Sequence, residues 1–403
     1  MNLVSNPMRL ASEASSYGDD PDEYRLSRFF QHLASSNGLA RIDRAAIVVV
    51  SHVLPDKPAF VAALEEYCGR VIAVVPKRVD AVSLHRVGQR FPVVNWCRAQ
   101  TEDASYCVPA IEDLLEPGEE LFILDVGGYF AKSARQLARA LPLKGIIEKT
   151  ENGHQRYERL SCAGDEPARL FPVYSTARSP LKLPEDIEVG RSIVFSCEAL
   201  LRDHYQLLTQ KRVGVLGCGK IGMSIAETMS RRGNRVHVFE PDPLRRIHAD
   251  VQNLVLAKDK REILTTSDII FSATGNRGLA GDDFDFLKDG AYVVGVTSAD
   301  DELDLSYVET QYDRTTVAPY IDRYSNGSMS FHLLYDGNSL NFIHKGIVGE
   351  YICLVQMEIF VAFHEIASGV ARMRCIDEVS TEGRREIARL WEEARGHVRV
   401  PRG

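Results

Sequence analysis

The chain of 403 residues is 45% hydrophobic and 26% charged, a balance that suits two or three globular domains and excludes a small disulfide scaffold or a wholly disordered chain. Lysine and arginine number 48 against 56 aspartates and glutamates, a net charge of −8, so a nucleic-acid backbone or an anionic membrane would be repelled and a small molecule is the expected partner. No apolar run nears the roughly 20 residues of a membrane span, the opening MNLVSNPMRLASEASS lacks a signal-peptide core, and the eight scattered cysteines show no CxxC spacing, which points to a cytoplasmic protein without a metal site or redox dithiol.

Residues 1–22 are polar and without periodicity, and read as a loose leader. From 23 to 188, apolar runs alternate with helical patterns: IVVVSHV (47–53), VIAVVPK (71–77), VVNW (93–96), LFILDVGG (121–128), GIIEKT (145–150) and FPVYST (171–176). Near-continuous apolar strands are buried on both faces, so these runs predict a parallel sheet with crossover helices, whose ligands bind beyond the carboxyl ends of the strands. Those ends carry His52, then Asp125 with Gly127 and Gly128, then Glu148 with Lys149 and Thr150.

A helix over about 185–209 leads into a second alternating block, 189–342, with strands at RVGVL (212–216), RVHVFE (235–240), DIIFSAT (268–274) and AYVVGV (291–296), then β-like runs to about 342. An apolar helix over 346–369 belongs to a segment, 343–370, that completes the first block. An amphipathic helix over 380–396 lies in a C-terminal helical tail, 371–403. The fold class is therefore α/β: two doubly wound parallel-sheet domains with C-terminal helices.

GCGKIG (Gly217, Gly219, Lys220, Ile221 and Gly222 among its residues) directly follows a strand and opens a helix, the context that a dinucleotide fingerprint requires. Gly217 permits the tight turn, Gly219 lets the backbone approach a pyrophosphate, and Gly222 allows the helix to pack closely. The helix amino end offers N–H groups to the anion. Glu240 closes the next strand, where an acid accepts hydrogen bonds from the adenosine ribose and repels a 2′-phosphate. The second block is thus read as a Rossmann domain binding NAD rather than NADP, a preference that the nearby Arg245 and Arg246 weaken.

The second block resembles the S-adenosylhomocysteine hydrolase family through GCGKIG, FEPDP (239–243), SATGN (272–276), IDRYSNG (321–327) and LLYDGNSLNF (333–342), in that order. In the first block, LDVGG (124–128) is similar to the family's Leu-Asp-Asp-Gly-Gly, and IEKTENG (147–153) to its Ser-Glu-Glu-Thr-Thr-Thr-Gly. The resemblance implies tightly held NAD, touched by Thr150, Thr274, Gly275, Asn276 and Asn341. It also implies transient oxidation of a ribose 3′-hydroxyl, after which the C–H beside the new ketone is acidic enough for an ordinary base. His52 matches the family's strand-end histidine, and Lys182 with Asp186 matches its Lys-x3-Asp pair at the 3′-hydroxyl. By resemblance, too, the chain forms a homo-oligomer, a dimer or tetramer.

The departures fall in the first block. Val126 stands where the family has a catalytic aspartate and Lys149 where it has a ribose-binding glutamate, while Ser298 and Ile187 replace a histidine and an asparagine. Asp125 and Glu148 are the carboxylates left to substitute, although Asp125 is expected to point into the fold because adjacent strand residues face opposite ways. Lys149 would attract a carboxylate or phosphate, or donate to an oxyanion. The plain readings are a surface ion pair for Lys182 and Asp186, and a solvated strand end for Lys149. The expected function is NAD-dependent oxidation of a nucleoside or related sugar with an altered substrate or outcome. The alternatives are S-adenosylhomocysteine hydrolysis with rearranged bases, and a catalytically silent NAD-binding regulator.

Overall fold

The computed structural model describes residues 21–36, 38–162, 171–297, 302–370 and 376–398. The leader expected over 1–22 lies outside them except for its last two residues, which open a helix, Pro21–Ser36. The chain divides into two compact units, residues 1–182 with 350–403, and residues 183–349.

Unit 1 is built on five strands: β1 (Ala45–Val53), β2 (Arg70–Val79), β3 (Glu120–Asp125), β4 (Leu143–Glu148) and β5 (Val173–Ser175). They pair in the order β2-β1-β3-β4-β5, all parallel. The β-branched run AAIVVVSHV makes β1 buried along almost its whole length, as a central strand covered on both faces must be. One face packs Val48, Val50, Ile123 and Ile146 against Phe130, Leu137 and Tyr157. Helix Ile352–Ala367 covers the other, with Phe363 on Phe122 and Phe360 stacked on Phe60, ring centroids 5.8 and 5.7 Å apart.

One expectation needs correction here. VVNW (93–96) forms no strand of the sheet. Only Val93 bridges to Val74, just after Pro92, which has no N–H to extend a ladder. The helix of the C-terminal tail, Thr381–Val398, belongs to unit 1, its Trp391 stacked on Tyr351 and its Arg384 bonded to the fully buried Glu358 at 2.6 Å.

Unit 2 begins with helix Leu183–Asp203, six residues shorter at its end than the sequence suggested, and carries eight strands. These are β6 (Val213–Leu216), β7 (Val236–Phe239), β8 (Val255–Leu256), β9 (Ile269–Ser272), β10 (Ala291–Gly295), β11 (Asp313–Ala318), β12 (Ile321–Ser325) and β13 (Ser330–Leu334). Their order, β11-β12-β13-β10-β9-β6-β7-β8, contains the doubly wound Rossmann arrangement β8-β7-β6-β9-β10-β13. The sheet is parallel up to β13 and antiparallel beyond it, because β12 runs against both its neighbours. Val213 and Val215 face one apolar cluster and Leu216 the other, so β6 is buried on both sides. Among the described residues, no helix is long and apolar enough to cross a membrane.

Candidate functional site

In an open α/β sheet, ligands bind where the strand order reverses. In unit 2 that point lies between β6 and β9, and GCGKIG follows β6. Gly217 adopts φ +92°, a region that costs a side-chain-bearing residue dearly. A Cβ on Gly222 would sit 2.0 Å from the Gly217 carbonyl oxygen, so helix Lys220–Arg231 can approach the turn only without one. A Cβ on Gly219 would meet nothing nearer than Arg245 Nη1 at 3.9 Å, which leaves the backbone open on the side where a pyrophosphate would lie. The first-turn amides of that helix have no intrahelical acceptor and favour an anion.

Glu240, 4% exposed, accepts the Cys218 amide at 2.7 Å and the Asp242 amide at 2.9 Å, one on each carboxylate oxygen. An ionised carboxylate has about four acceptor sites, so Glu240 both holds the turn and retains capacity for ribose hydroxyls. After β9, Thr274 and Gly275 form a second loop, held by a residue the sequence reading missed. Glu302 is fully buried and accepts from Ser272 Oγ at 2.8 Å, Thr274 N and Oγ1 at 2.7 Å, Gly275 N at 3.2 Å and Thr297 Oγ1 at 2.9 Å. Asn276 donates its amide to Thr274 Oγ1 at 3.1 Å. Asn341, 5% exposed, is fixed by the Ser339 hydroxyl, which donates to its Oδ1 at 2.7 Å. The residues of unit 2 therefore fit a dinucleotide.

Asp186 lies in the first turn of helix Leu183–Asp203, and Lys220 Nζ approaches its Oδ2 at 3.6 Å. The carboxylate expected to serve Lys182 is thus also tied to the fingerprint. Lys182 closes unit 1 in a short turn, Pro180–Lys182. Ser298 lies outside the described residues.

In unit 1 the strand order reverses between β1 and β3, and His52, Asp125 and the Gly127–Gly128 turn sit at that edge. Asp125 is buried, as expected, and is bonded to the loop that follows it and to Tyr157. Its Oδ1 accepts the Val126 and Tyr129 amides at 2.7 and 3.1 Å, and its Oδ2 accepts the Phe130 amide at 3.0 Å and the Tyr157 hydroxyl at 2.7 Å. Glu148 does the same from the next strand: Oε1 accepts Gly127 N at 3.0 Å, Thr150 N at 2.7 Å and Thr150 Oγ1 at 2.7 Å, while Oε2 accepts Gly128 N at 2.9 Å. Burial and the neighbouring Asp125 carboxylate push Glu148 up to about 7. Both acids proposed as replacement bases are engaged in holding the glycine turn, and Thr150 is engaged with Glu148 rather than turned outward.

Around the same turn stand cations. Lys77 Nζ donates to the Val126 carbonyl at 2.9 Å and Arg98 Nη1 to the Gly127 carbonyl at 3.1 Å, and both lie over the Tyr129 ring, 4.9 and 4.7 Å from its centroid. His52 is pushed well below the usual histidine value by burial first, then by Lys77, Lys149, Lys57 and Arg78. At neutral pH it is therefore an uncharged imidazole. Lys77 and Arg98 were not singled out from the sequence. Lys77 could have been, since it ends the apolar run VIAVVPK at the carboxyl edge where ligands bind.

Residues 192–345 match the family model described as S-adenosyl-L-homocysteine hydrolase, NAD binding domain. Among solved structures, the chain is similar to a dipicolinate synthase chain from Bacillus halodurans, at 10% identity over 81% of this chain and 99% of that one, TM-score 0.46. It is also similar to an NADPH-dependent glyoxylate/hydroxypyruvate reductase from Sinorhizobium meliloti, at 14% identity over 79% and 94%, TM-score 0.42. A third is phosphoglycerate oxidoreductase from Vibrio cholerae, at 15% identity over 66% and 80%, TM-score 0.41. Over most of its length unit 2 is thus similar to the NAD-binding domain of S-adenosyl-L-homocysteine hydrolases, and the cofactor is NAD.

Proposed function

We propose that the protein is an enzyme that oxidises a hydroxyl-bearing carbon of a nucleoside or related sugar transiently, and that its net outcome is not S-adenosylhomocysteine hydrolysis. One observation carries this departure: Asp125 and Glu148, the carboxylates left to replace the family's lost bases, each already accept four hydrogen bonds, between them from the amides of 126–130, from Thr150 and from Tyr157. Bound NAD supplies a hydride acceptor for the substrate carbon.

The chain's own residues do the rest. Lys182, at the end of unit 1, takes the hydroxyl proton. His52, uncharged at neutral pH because burial and four cations oppose its protonation, is available to accept a proton from the carbon beside the new carbonyl. Glu240 holds the adenosine ribose, and Asn341 holds the nicotinamide end. The same reading makes the protein a homo-oligomer, as the family resemblance suggested.

The test starts from purified protein. Denaturation should release NAD, and adding nucleosides or sugars to intact protein should raise reduced-nicotinamide absorbance that then decays. Lys182→Ala should abolish that rise, and an unchanged rise would remove Lys182 from the chemistry. Bound NAD that no ribose compound reduces would favour a silent regulator, and stoichiometric release of NADH an ordinary dehydrogenase.

A further inference from the structure

We infer that Arg245 grips the pyrophosphate of NAD from the helix that follows β7, bringing a guanidinium to the turn that Gly219 leaves open. This role goes beyond the function proposed above and holds whichever hydroxyl is oxidised.

Three observations meet at this turn. First, Gly219 is the residue that lets the backbone approach a pyrophosphate. The point where its Cβ would lie is 3.9 Å from Arg245 Nη1, and no other atom outside the adjoining residues comes within 4 Å. The guanidinium therefore borders the same open space as the first-turn amides of helix Lys220–Arg231. Second, the local sequence sets that position. Pro243 opens helix Pro243–Val251, and Asp242 caps it by accepting the Leu244 amide at 2.9 Å. Arg245 thus lies in the first turn, close behind the strand end that carries Glu240. Its charge reaches the fingerprint: burial, then Glu240, push the Cys218 thiol up to about 12, and Arg245 opposes them. Third, the protein holds this arginine loosely. Its side chain is half exposed, and its ion pair is with Asp242, whose Oδ2 lies 3.7 Å from Nε. An exposed pair of that length contributes little. It engages the Nε side of the group, which leaves the terminal nitrogens to meet a phosphate in the bidentate manner of a planar guanidinium. A nucleotide pyrophosphate carries about two negative charges, whereas a helix amino end offers roughly half a positive one, so charge is left for side chains to balance. Arg245 neighbours Gly219 and Asp242 and makes no ion pair with Glu240, which favours the pyrophosphate over the 2′-phosphate of NADP.

The experiment loads the full-length protein with radiolabelled NAD, chases it with unlabelled NAD, and follows the loss of label at low and at raised salt. We expect Arg245→Gln to release NAD about tenfold faster than wild type at low salt, the loss of one charge-assisted contact. Raised salt should speed release from wild type more than from Arg245→Gln, because the variant lacks the attraction that salt screens. Arg245→Lys keeps the charge and should regain the salt dependence of wild type with part of its retention. Circular dichroism midpoints should agree among these proteins, since the side chain is exposed.

Release that is unchanged in Arg245→Gln, or faster by the same factor at both salts, would remove Arg245 from the pyrophosphate. So would a variant that weakens only competition by NADP, the mark of a 2′-phosphate contact. An Arg245→Lys protein with the salt dependence of Arg245→Gln would also overturn the assignment, since stacking on adenine, not charge, would then explain the loss. No readout here needs a reducible alcohol. Failure of these tests leaves the oxidation proposal standing, and failure of every alcohol to reduce NAD leaves Arg245 in place.

Discussion

The two sheet edges solve the same problem and end with opposite properties. Each has a glycine turn after a central strand, and each holds that turn with a buried carboxylate from the next strand: Glu240 for Gly217–Gly219, Glu148 for Gly127–Gly128. In unit 2 the carboxylate takes one turn amide and leaves the helix amino end facing outward, so the backbone itself can receive a pyrophosphate. In unit 1 two carboxylates take five consecutive amides, and the cations at the turn, Lys77 and Arg98, are bonded to its carbonyls. A glycine turn at a strand end is therefore not by itself an anion site. What matters is whether its amides already have acceptors.

The largest effect should come from Glu302, whose five donors belong to two separate segments, 272–275 and Thr297. Glu302→Ala removes the acceptor of the buried Ser272 hydroxyl and of four half-buried donors, a cost of about 3–5 kcal/mol. Both tryptophans, Trp96 and Trp391, lie in unit 1, so their fluorescence follows that unit while circular dichroism follows both. We expect the dichroism midpoint in urea to fall and NAD binding to be lost. Retained NAD affinity with an unmoved midpoint would show that this carboxylate does not hold the β9 loop.

Next comes Glu148. Glu148→Gln turns one accepting oxygen into a donor aimed at the amides it should receive, for a loss of about 1–3 kcal/mol in unit 1. Tryptophan fluorescence should register it, with NAD affinity unchanged. The pH dependence has a definite sign. A carboxyl raised in the folded state to about 7 binds protons more tightly there than when unfolded. Its contribution is full below the ordinary glutamate value and is lost as pH rises through about 7. Wild type should thus lose more stability than Glu148→Gln between pH 5 and pH 8. Parallel losses would mean that Glu148 is ionised throughout.

These two acids also mark the limit of what the sequence discloses. Strands β1, β3 and β4 and the GCGKIG turn were legible because their signals are local: unbroken β-branched runs, and glycines whose spacing is set by one turn and one helix. The tasks of Glu148 and Glu302 were not. Glu148 bonds amides 20 and 21 residues earlier, and Glu302 bonds a hydroxyl 30 residues away, so only the folded sheet shows the pairing. Asp125 was read correctly as pointing inward, because strand alternation is local too. The antiparallel β12 escaped for a related reason: its run was visible, but its direction depends on partners that the run does not specify.

A smaller effect is expected at Glu240. Glu240→Gln keeps the size but removes the charge that ribose hydroxyls and the Cys218 amide meet, so NAD affinity should fall about 10- to 100-fold, the worth of one to two charge-assisted bonds. NADP should lose less, since the group that repels its 2′-phosphate is gone. Equal losses for the two nucleotides, measured by calorimetry, would refute the assignment of Glu240 to the ribose.

The smallest change in stability should come from Lys220, where two effects oppose each other. Its pair with Asp186 is long at 3.6 Å, and the lysine side chain is one-third exposed, so breaking it costs no more than about 1 kcal/mol. As the first residue of helix Lys220–Arg231, the ammonium also sits at the positive end of the helix dipole, an unfavourable placement worth roughly 0.3–1 kcal/mol. Removing the charge relieves that penalty and offsets the lost pair. Lys220→Gln should therefore move the urea midpoint by less than about 0.5 kcal/mol. On the function proposed above, the ammonium at this helix end meets a phosphate of the bound nucleotide. NAD affinity should accordingly fall several-fold and depend less on salt. A large loss of stability with unaltered NAD binding would make Lys220 a structural partner of Asp186 and nothing more.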